Sequence, residues 1–502
     1  MISRRRFLQG LGALAVCAPP LRAQTYPFSL GVASGYPSPT SVVLWTRLTG
    51  DLPFSPVAVR WEIGADEGFK TVVRSDEALA EPRWAHSVHV EVDGLEPDRW
   101  YWYRFTAADA RSRTGRTRTG PAPGKVGGQL RFAFASCQHY EQGYFGAYRH
   151  IVADAPDLVA FLGDYIYESS WGRDHVRSHG APEPYSLEDY RARHALYRGD
   201  PDLQEAHAAC PWILTWDDHE VDNDYANDRP EDGMDRAAFL ARRAAAYRAY
   251  YEHLPLPPGM QPEGPDMQIY TRLDWGPLAR FHVLDCRQYR SWQACPRPKR
   301  RGGSNTVDVD ACIQLEASER SMLGRRQERW LESGLGESKA AWNVIAQTTA
   351  MARFDQKPGP GRRAWTDAWD GYPAARTRLL ETLVSKKVGN PVVIGGDVHC
   401  FNVSQLKLDF DNPSSPVVAS EFVGTSITSQ AWPQERMNRV LPDNPHILLG
   451  DSRYRGYTRV DLTPKLWTAS LRIMETVQKR DAPCSTLATY AVEDGKPGPV
   501  RG

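Results

Sequence analysis

The chain has 502 residues, of which 41% are hydrophobic, 24% charged and 11% aromatic, a globular composition with enough length for several domains and large buried cores. Sixty-one Lys and Arg residues face 61 Asp and Glu, so no overall basic field exists of the kind that drives nucleic-acid binding. The same composition excludes a disordered body.

The chain opens MISRRRFLQG, with Ser3, Arg4, Arg5, Phe7 and Leu8 in the twin-arginine arrangement. The apolar run GLGALAVCAPP follows, then a small-residue cleavage site ending at Ala23. That run is too short for a stable membrane anchor. Residues 1–23 are read as a twin-arginine signal peptide, with the Tat translocase as a partner in export and the periplasm or extracellular space as destination. Cleavage leaves 57 basic against 61 acidic residues and seven cysteines: Cys137, Cys210, Cys286, Cys295, Cys312, Cys400 and Cys484. An odd number leaves at least one thiol spare. Cys286, Cys295 and Cys312 lie close in sequence and are the disulfide candidates, with the pairing open.

From Phe28 to about Ala108, within an N-terminal domain read as residues 24–120, the chain is all strand and turn. SVVLWTRL, VAVRWEIG, SVHVEVDGL and DRWYWYRFTA alternate apolar with polar residues between Pro, Gly and Asp turns. GLEPDRWYWYRF has the form of a sandwich strand entered through a Pro turn, so an N-terminal fibronectin-like β-sandwich is expected. TGRTRTGPAPGKVGGQ, with no apolar periodicity, reads as a linker.

Over 127–476 strand-like runs (LRFAFASC, LVAFLGD, WILTWDD, ARFHVLDC, WNVIAQTT, NPVVIGGD) alternate with amphipathic helical stretches, the pattern of an α/β layered domain. The helical insert 187–254 and the segment 357–373, with Trp365, Trp369 and Tyr372, are each either a lid or packed surface. YTRVDLTPKLWTASLRIM supplies two alternating strands at a sheet edge, and 477–502 is read as a tail.

Four strands end in a loop bearing Asp, His or Cys, the place where ligands collect in α/β sheets. FASCQHY brings Cys137 to a strand end as a nucleophile, a disulfide half, a metal ligand or a core thiol. FLGDYIYE sets Asp164 after Gly163 with Tyr167 three residues on, a hard anionic pair suited to a trivalent ion. TWDDHEVDNDYAND crowds Asp217, Asp218, His219, Glu220, Asp222, Asn223, Asp224, Asn227 and Asp228 behind one strand, where the carboxylates repel unless neutralised. IGGDVHCF places Asp397 and His399 at alternate positions.

In order, these pieces resemble the calcineurin-like metallophosphoesterases. With DCRQYR, WDGYPAAR and EFVGTSITS they resemble more closely the PhoD-like alkaline phosphatase and phosphodiesterase family, over essentially the whole mature chain. The resemblance implies a two-sheet metallophosphatase α/β domain, flanked by helices, behind the sandwich. It implies an Fe(III) site with Cys137 as thiolate, Asp164 as bridging carboxylate and Tyr167 as phenolate. Asp218 would serve a second metal, His219 the substrate phosphate, and Asp397 and His399 the late ligand positions. Where the superfamily has a further His, WNVIAQTT offers Gln347; that loss of imidazole suits Ca(II), a hard ion, at the second site. Asn223, Asn227 and Gln347 extend the metal or phosphate shell. The implied activity is hydrolysis of phosphate mono- or diesters by metal-bound hydroxide, with Asp218 and His219 in catalytic roles. The alternative is a secreted binding module whose metals are structural. A cysteine-nucleophile hydrolase lacks a Cys, His, acid set separate from these residues.

Overall fold

The computed structural model describes residues 26–125 and 128–502. The signal-peptide reading lies outside the described residues.

Two β-sheets, one of ten strands and one of seven, face each other across the main core. Strands β1 (Leu130–Ala135), β2 (Leu158–Leu162) and β3 (Trp212–Thr215) are parallel neighbours in the larger sheet. Strand β4 (Pro391–Gly395) lies in the smaller one, parallel to Trp342–Ala346 and Val417–Val423. These strands are covered on both faces, which is why they read as continuous apolar runs rather than alternating ones. Phe132, Leu158, Leu162 and Ile213 meet Phe281, Val344, Ile394 and Phe422 between the sheets.

Helices close the outer faces. Leu187–Arg198 begins at a capping box made by Ser186 and Asp189, and Arg236–His253 at the N-cap Asp235, whose side chain accepts from Ala237 N and Ala238 N. Their residues Tyr190, Tyr197, Tyr247 and Tyr250 pack with Phe161 and Trp212 of the larger sheet. The helices of the insert 187–254 are thus packed surface, while the loop between them borders the main cavity through Asp222, Asn223 and Asp224. Helices Gly324–Glu337 and Pro373–Ser385 bury Leu331, Leu335, Leu380 and Leu383 against Ile345 and Val393 of the smaller sheet. Trp369 and Tyr372 join that core, while Trp365 borders the main cavity.

The N-terminal region has one sheet of its own, built on Val57–Gly64, Val72–Ala80 and Trp100–Ala107. The last of these alternates half-buried and buried residues, as its sequence does. Val32–Gly35, Val42–Arg47 and Ser87–Val92 instead extend the ten-stranded sheet, Gly35 pairing in parallel with Trp212 of β3. The sandwich therefore shares its second sheet with the domain that follows.

The C-terminal end also differs from the sequence reading. Gly456–Leu462 pairs with β1, and Leu466–Met474 pairs outward with Cys484–Glu493, so the hairpin expected at the edge lies inside the sheet. The residues read as a tail hold that strand and the edge strand Lys496–Arg501. Pro497, Gly498 and Pro499 obscured it in the sequence, and an edge is where a strand tolerates Pro. Cys295 pairs with Cys312, and Cys286 is a free buried thiol. Among the described residues no helix is long and apolar enough to cross a membrane.

Candidate metal centre

The carboxyl ends of β1 to β4 converge, and their tight exits set the geometry. Gly163 has φ +91°, and a Cβ there would come within 2.5 Å of Asp217 Cβ; one on Gly396 would overlap Ser136. Next to these glycines, Cys137 (φ 58°), Asp164 (58°), Asp397 (63°) and His399 (54°) all sit in the left-handed region. Non-glycine residues rarely adopt it, at a cost of order 1–2 kcal/mol each. Four such residues at one place hold their side chains toward a common point.

Two overlapping donor groups result. Cys137, Asp164 and His399 offer ligand atoms within 4.8 Å of one another, as do Asp164, Asp218 and His219, so Asp164 belongs to both. Tyr167 completes the first: its hydroxyl donates to Asp164 Oδ2 at 2.9 Å and lies 3.1 Å from His399 Nε2. His399 Nδ1 donates to the Gln430 carbonyl at 2.7 Å, which fixes the ring with Nε2 inward. Asp397 borders the second group, with Thr349 Oγ1 donating to its Oδ2 at 2.6 Å. Asp218, His219, Asp397 and His399 line a cavity of about 860 Å³, whose walls carry Trp171, Tyr185, Trp365 and Trp432, while Cys137, Asp164 and Tyr167 are buried and do not line it.

Gln347 and Asn227 stand apart. Gln347 accepts from Thr349 N at 3.0 Å and Trp369 Nε1 at 3.1 Å, and its amide nitrogen binds Thr349 O, so both ends brace a loop. Asn227 is held by its backbone, its N donating to Arg287 O and its O accepting from Arg243. Asn223 borders the cavity.

Sequence reasoning gave no role to several residues that the structure ties to the site. Arg287, fully buried, binds Asp217 at 2.5 Å and Asp367 at 2.8 Å and lies 3.6 Å from Asp218; Arg290 holds the other oxygen of Asp367. Glu168 grips His219 Nδ1 at 2.7 Å. The signals were present in DCRQYR and in Glu168 of GDYIYE, but a charge pair distant in sequence cannot be read from either half alone.

The electrostatics test whether this donor set fits a cation. Burial, added to by Asp218 and Asp217, pushes Asp164 well above the ordinary carboxylate range; burial and then Asp217 do the same for Asp397. Burial and then Asp164 raise the Cys137 thiol and the Tyr167 phenol. Asp164 Oδ1 is buried with no hydrogen-bond partner. A thiol, a phenol and carboxylates are thus enclosed with one orphaned oxygen and too little positive charge. The residues fit a bound cation, which supplies that charge and lets them ionise. Elsewhere in the site the protein supplies its own: burial would raise Asp218, but Arg287 and His219 hold it well below the usual range. Burial would lower His219, but Glu168, Asp218 and Asp164 outweigh it and raise the imidazole well above its usual value.

Residues 132–471 match the model of the family described as PhoD-like phosphatase, and residues 15–121 match its N-terminal domain. The chain is 46% identical over 506 aligned residues to alkaline phosphatase D of Bacillus subtilis (strain 168), across 98% of this chain and 85% of that protein. A solved structure described as that of PhoD superposes with a TM-score of 0.90 at 45% identity, covering 96% of this chain and 93% of that one.

Stripping the cations should make stability pH-dependent. The folded-state values of Asp164 and Asp397 are raised above an unfolded value of about 3.9. Their contribution is therefore fully present below that pH and is lost as pH rises toward the raised values. Thermal denaturation of chelator-treated and metal-loaded protein should give a gap in melting temperature that widens as pH climbs above about 4. A constant gap would rule out these carboxylates as the charge the cations neutralise.

Proposed function

The chain belongs to the PhoD-like phosphatase family and is a metal-dependent phosphoric ester hydrolase, and on that premise we propose that it is an exported alkaline phosphatase and phosphodiesterase working at an iron–calcium centre. The observation that carries this reading is the sharing of Asp164 between a thiol-, phenol- and imidazole-containing group and an oxygen-rich one, with Asp218, His219 and His399 of these groups lining one cavity.

Cys137, Asp164, Tyr167 and His399 would hold Fe(III), whose high charge suits thiolate, phenolate and carboxylate together. Asp164, Asp218 and Asp397 would hold Ca(II), which prefers oxygen ligands, with Asn223 the nearest neutral candidate. When bound, the ions lower the pKa of water and neutralise charge on the phosphate oxygens. The chain's own residues do the rest. Arg287 anchors Asp217 and orients Asp218 from behind. His219, kept protonated by Glu168, has Nε2 free to donate to a phosphoryl or leaving oxygen. The width of the cavity and its indole rings suit an ester with substituents on both sides of phosphorus.

Cys137→Ser should remove the thiolate contribution to the visible charge-transfer absorption of a thiolate–phenolate iron site, lower iron content below one per chain and cut hydrolysis of nitrophenyl phosphates by at least about a hundredfold. Full activity with unchanged iron content would sink the assignment. Glu168→Gln removes the anion that holds the His219 proton, so the alkaline limb of kcat/KM should move to lower pH, by about one unit. An unmoved limb would show that His219 does not act as the acid.

Export rests on the twin-arginine leader of residues 1–23, and the Cys295–Cys312 disulfide is in keeping with an oxidising destination. Replacing Arg4 and Arg5 together by Lys should leave phosphatase activity inside the cell; undiminished activity in the exported fraction would refute this route.

A further inference from the structure

The loop that carries Cys137 continues through His139 and Glu141 and meets the segment 171–180. His139, Glu141 and His179 offer ligand atoms within 4.8 Å of one another, and all three residues are more than nine-tenths buried. Yet His139 Nε2, Glu141 Oε2 and His179 Nδ1 have no hydrogen-bond partner. Orphaned atoms of this kind cost about 1–3 kcal/mol each.

Glu141 Oε2 lies 3.7 Å from His179 Nδ1 and 3.8 Å from His175 Nδ1. Those separations are too long for hydrogen bonds and near the edge, about 3.4 Å, of a tetrahedron whose metal–ligand bonds are about 2.1 Å. The opposite atoms are already held. His175 Nε2 donates to the Trp171 carbonyl at 2.7 Å, leaving the Nδ1 lone pair turned to the carboxylate. His179 Nε2 rests on Tyr197 Oη at 3.0 Å, and Glu141 Oε1 accepts from His179 N at 2.9 Å. Burial, followed by Arg193, brings the His179 imidazole down to about 4, so the ring is neutral at neutral pH and able to offer a lone pair.

We propose that Glu141, His139 and His179, completed by His175 swinging in from beside Glu141, form a second cation site, separate from the phosphatase centre, for one borderline divalent transition metal such as Zn(II). Three imidazoles and a single carboxylate favour Zn(II) or Co(II) over the hard ions. No ligand is shared with the donor groups described above. His139 binds through Nε2 and gives up the 3.3 Å bond that its Nδ1 accepts from Glu141 N. Four protein ligands close the site to substrate, so its role is structural. The ion ties the Cys137 loop to the segment bearing Trp171, whose indole stacks on His399 with ring centroids 5.8 Å apart. One wall of the cavity is thereby fixed to its floor.

The test uses the full mature chain, titrated with Zn(II) alone after chelation, and with Co(II) as a spectroscopic probe. Wild type and Cys137→Ser should each show one equivalent with a tetrahedral Co(II) spectrum, counted apart from any uptake by the phosphatase centre. Glu141→Gln should lose it, and His175→Ala should bind at least tenfold more weakly. His175 has 31% of its side chain exposed, so its truncation leaves the fold intact and decides the matter alone should Glu141→Gln fail to fold. Equal uptake by wild type and His175→Ala overturns the proposal. So does uptake that vanishes in Cys137→Ser, because the ion then belongs to the phosphatase centre.

Discussion

Everything in this molecule is arranged around the mutual repulsion of buried acids. Asp164, Asp217, Asp218 and Asp397 come together at the carboxyl ends of strands from two sheets, in a place largely closed to water. Their charges coexist only with positive charge among them. The chain contributes part of it through Arg287, which is buried without solvent access and spread over Asp217, Asp218 and Asp367. Bound cations contribute the rest. This division separates the roles of neighbouring residues: Asp217 gives its Oδ1 to Arg287 and Thr348, whereas Asp164 has no cationic side chain bonded to it among the described residues and belongs to both donor groups.

The two-sheet architecture is what makes such crowding affordable. The core between the sheets is apolar along its length, and polarity is confined to the end where the strands stop. Left-handed backbone at Cys137, Asp164, Asp397 and His399 costs about 4–8 kcal/mol in total, and the packed strands behind each residue enforce it. A loop-built site would relax that strain and lose its convergence.

Much of this was legible in the sequence. The strand-end positions of Cys137, Asp164, Asp218 and Asp397 follow from apolar runs that stop at Gly or a polar residue, a local signal. Their convergence required the resemblance, because nothing in the spacing says which strands are neighbours. What stayed hidden was non-local. Arg287 with Asp217, and Glu168 with His219, are partners about fifty to seventy residues apart. The sheet shared between the N-terminal region and the rest was invisible for the same reason, since Val32–Gly35 meets β3 some 180 residues later. Pro and Gly in the last strand gave a turn signal that the edge position overrides. Of the three candidate cysteines the pair formed is the one whose loops meet, while Cys286 lies against Gln347 in the core.

The pairing of β1 with Gly456–Leu462 has a consequence for how the protein is made. The strand that delivers Cys137 is flanked on one side by β2, about 25 residues away, and on the other by a strand more than 300 residues later. His399 and the Gln430 carbonyl that orients it also come late in the chain. During synthesis the first sheet therefore stands with an open edge until Gly456–Leu462 has left the ribosome, a topology of high contact order that folds slowly and exposes pairing surface meanwhile. Cys137, Asp164 and His399 cannot come together on a growing chain, so a cation held by that donor group enters after translation.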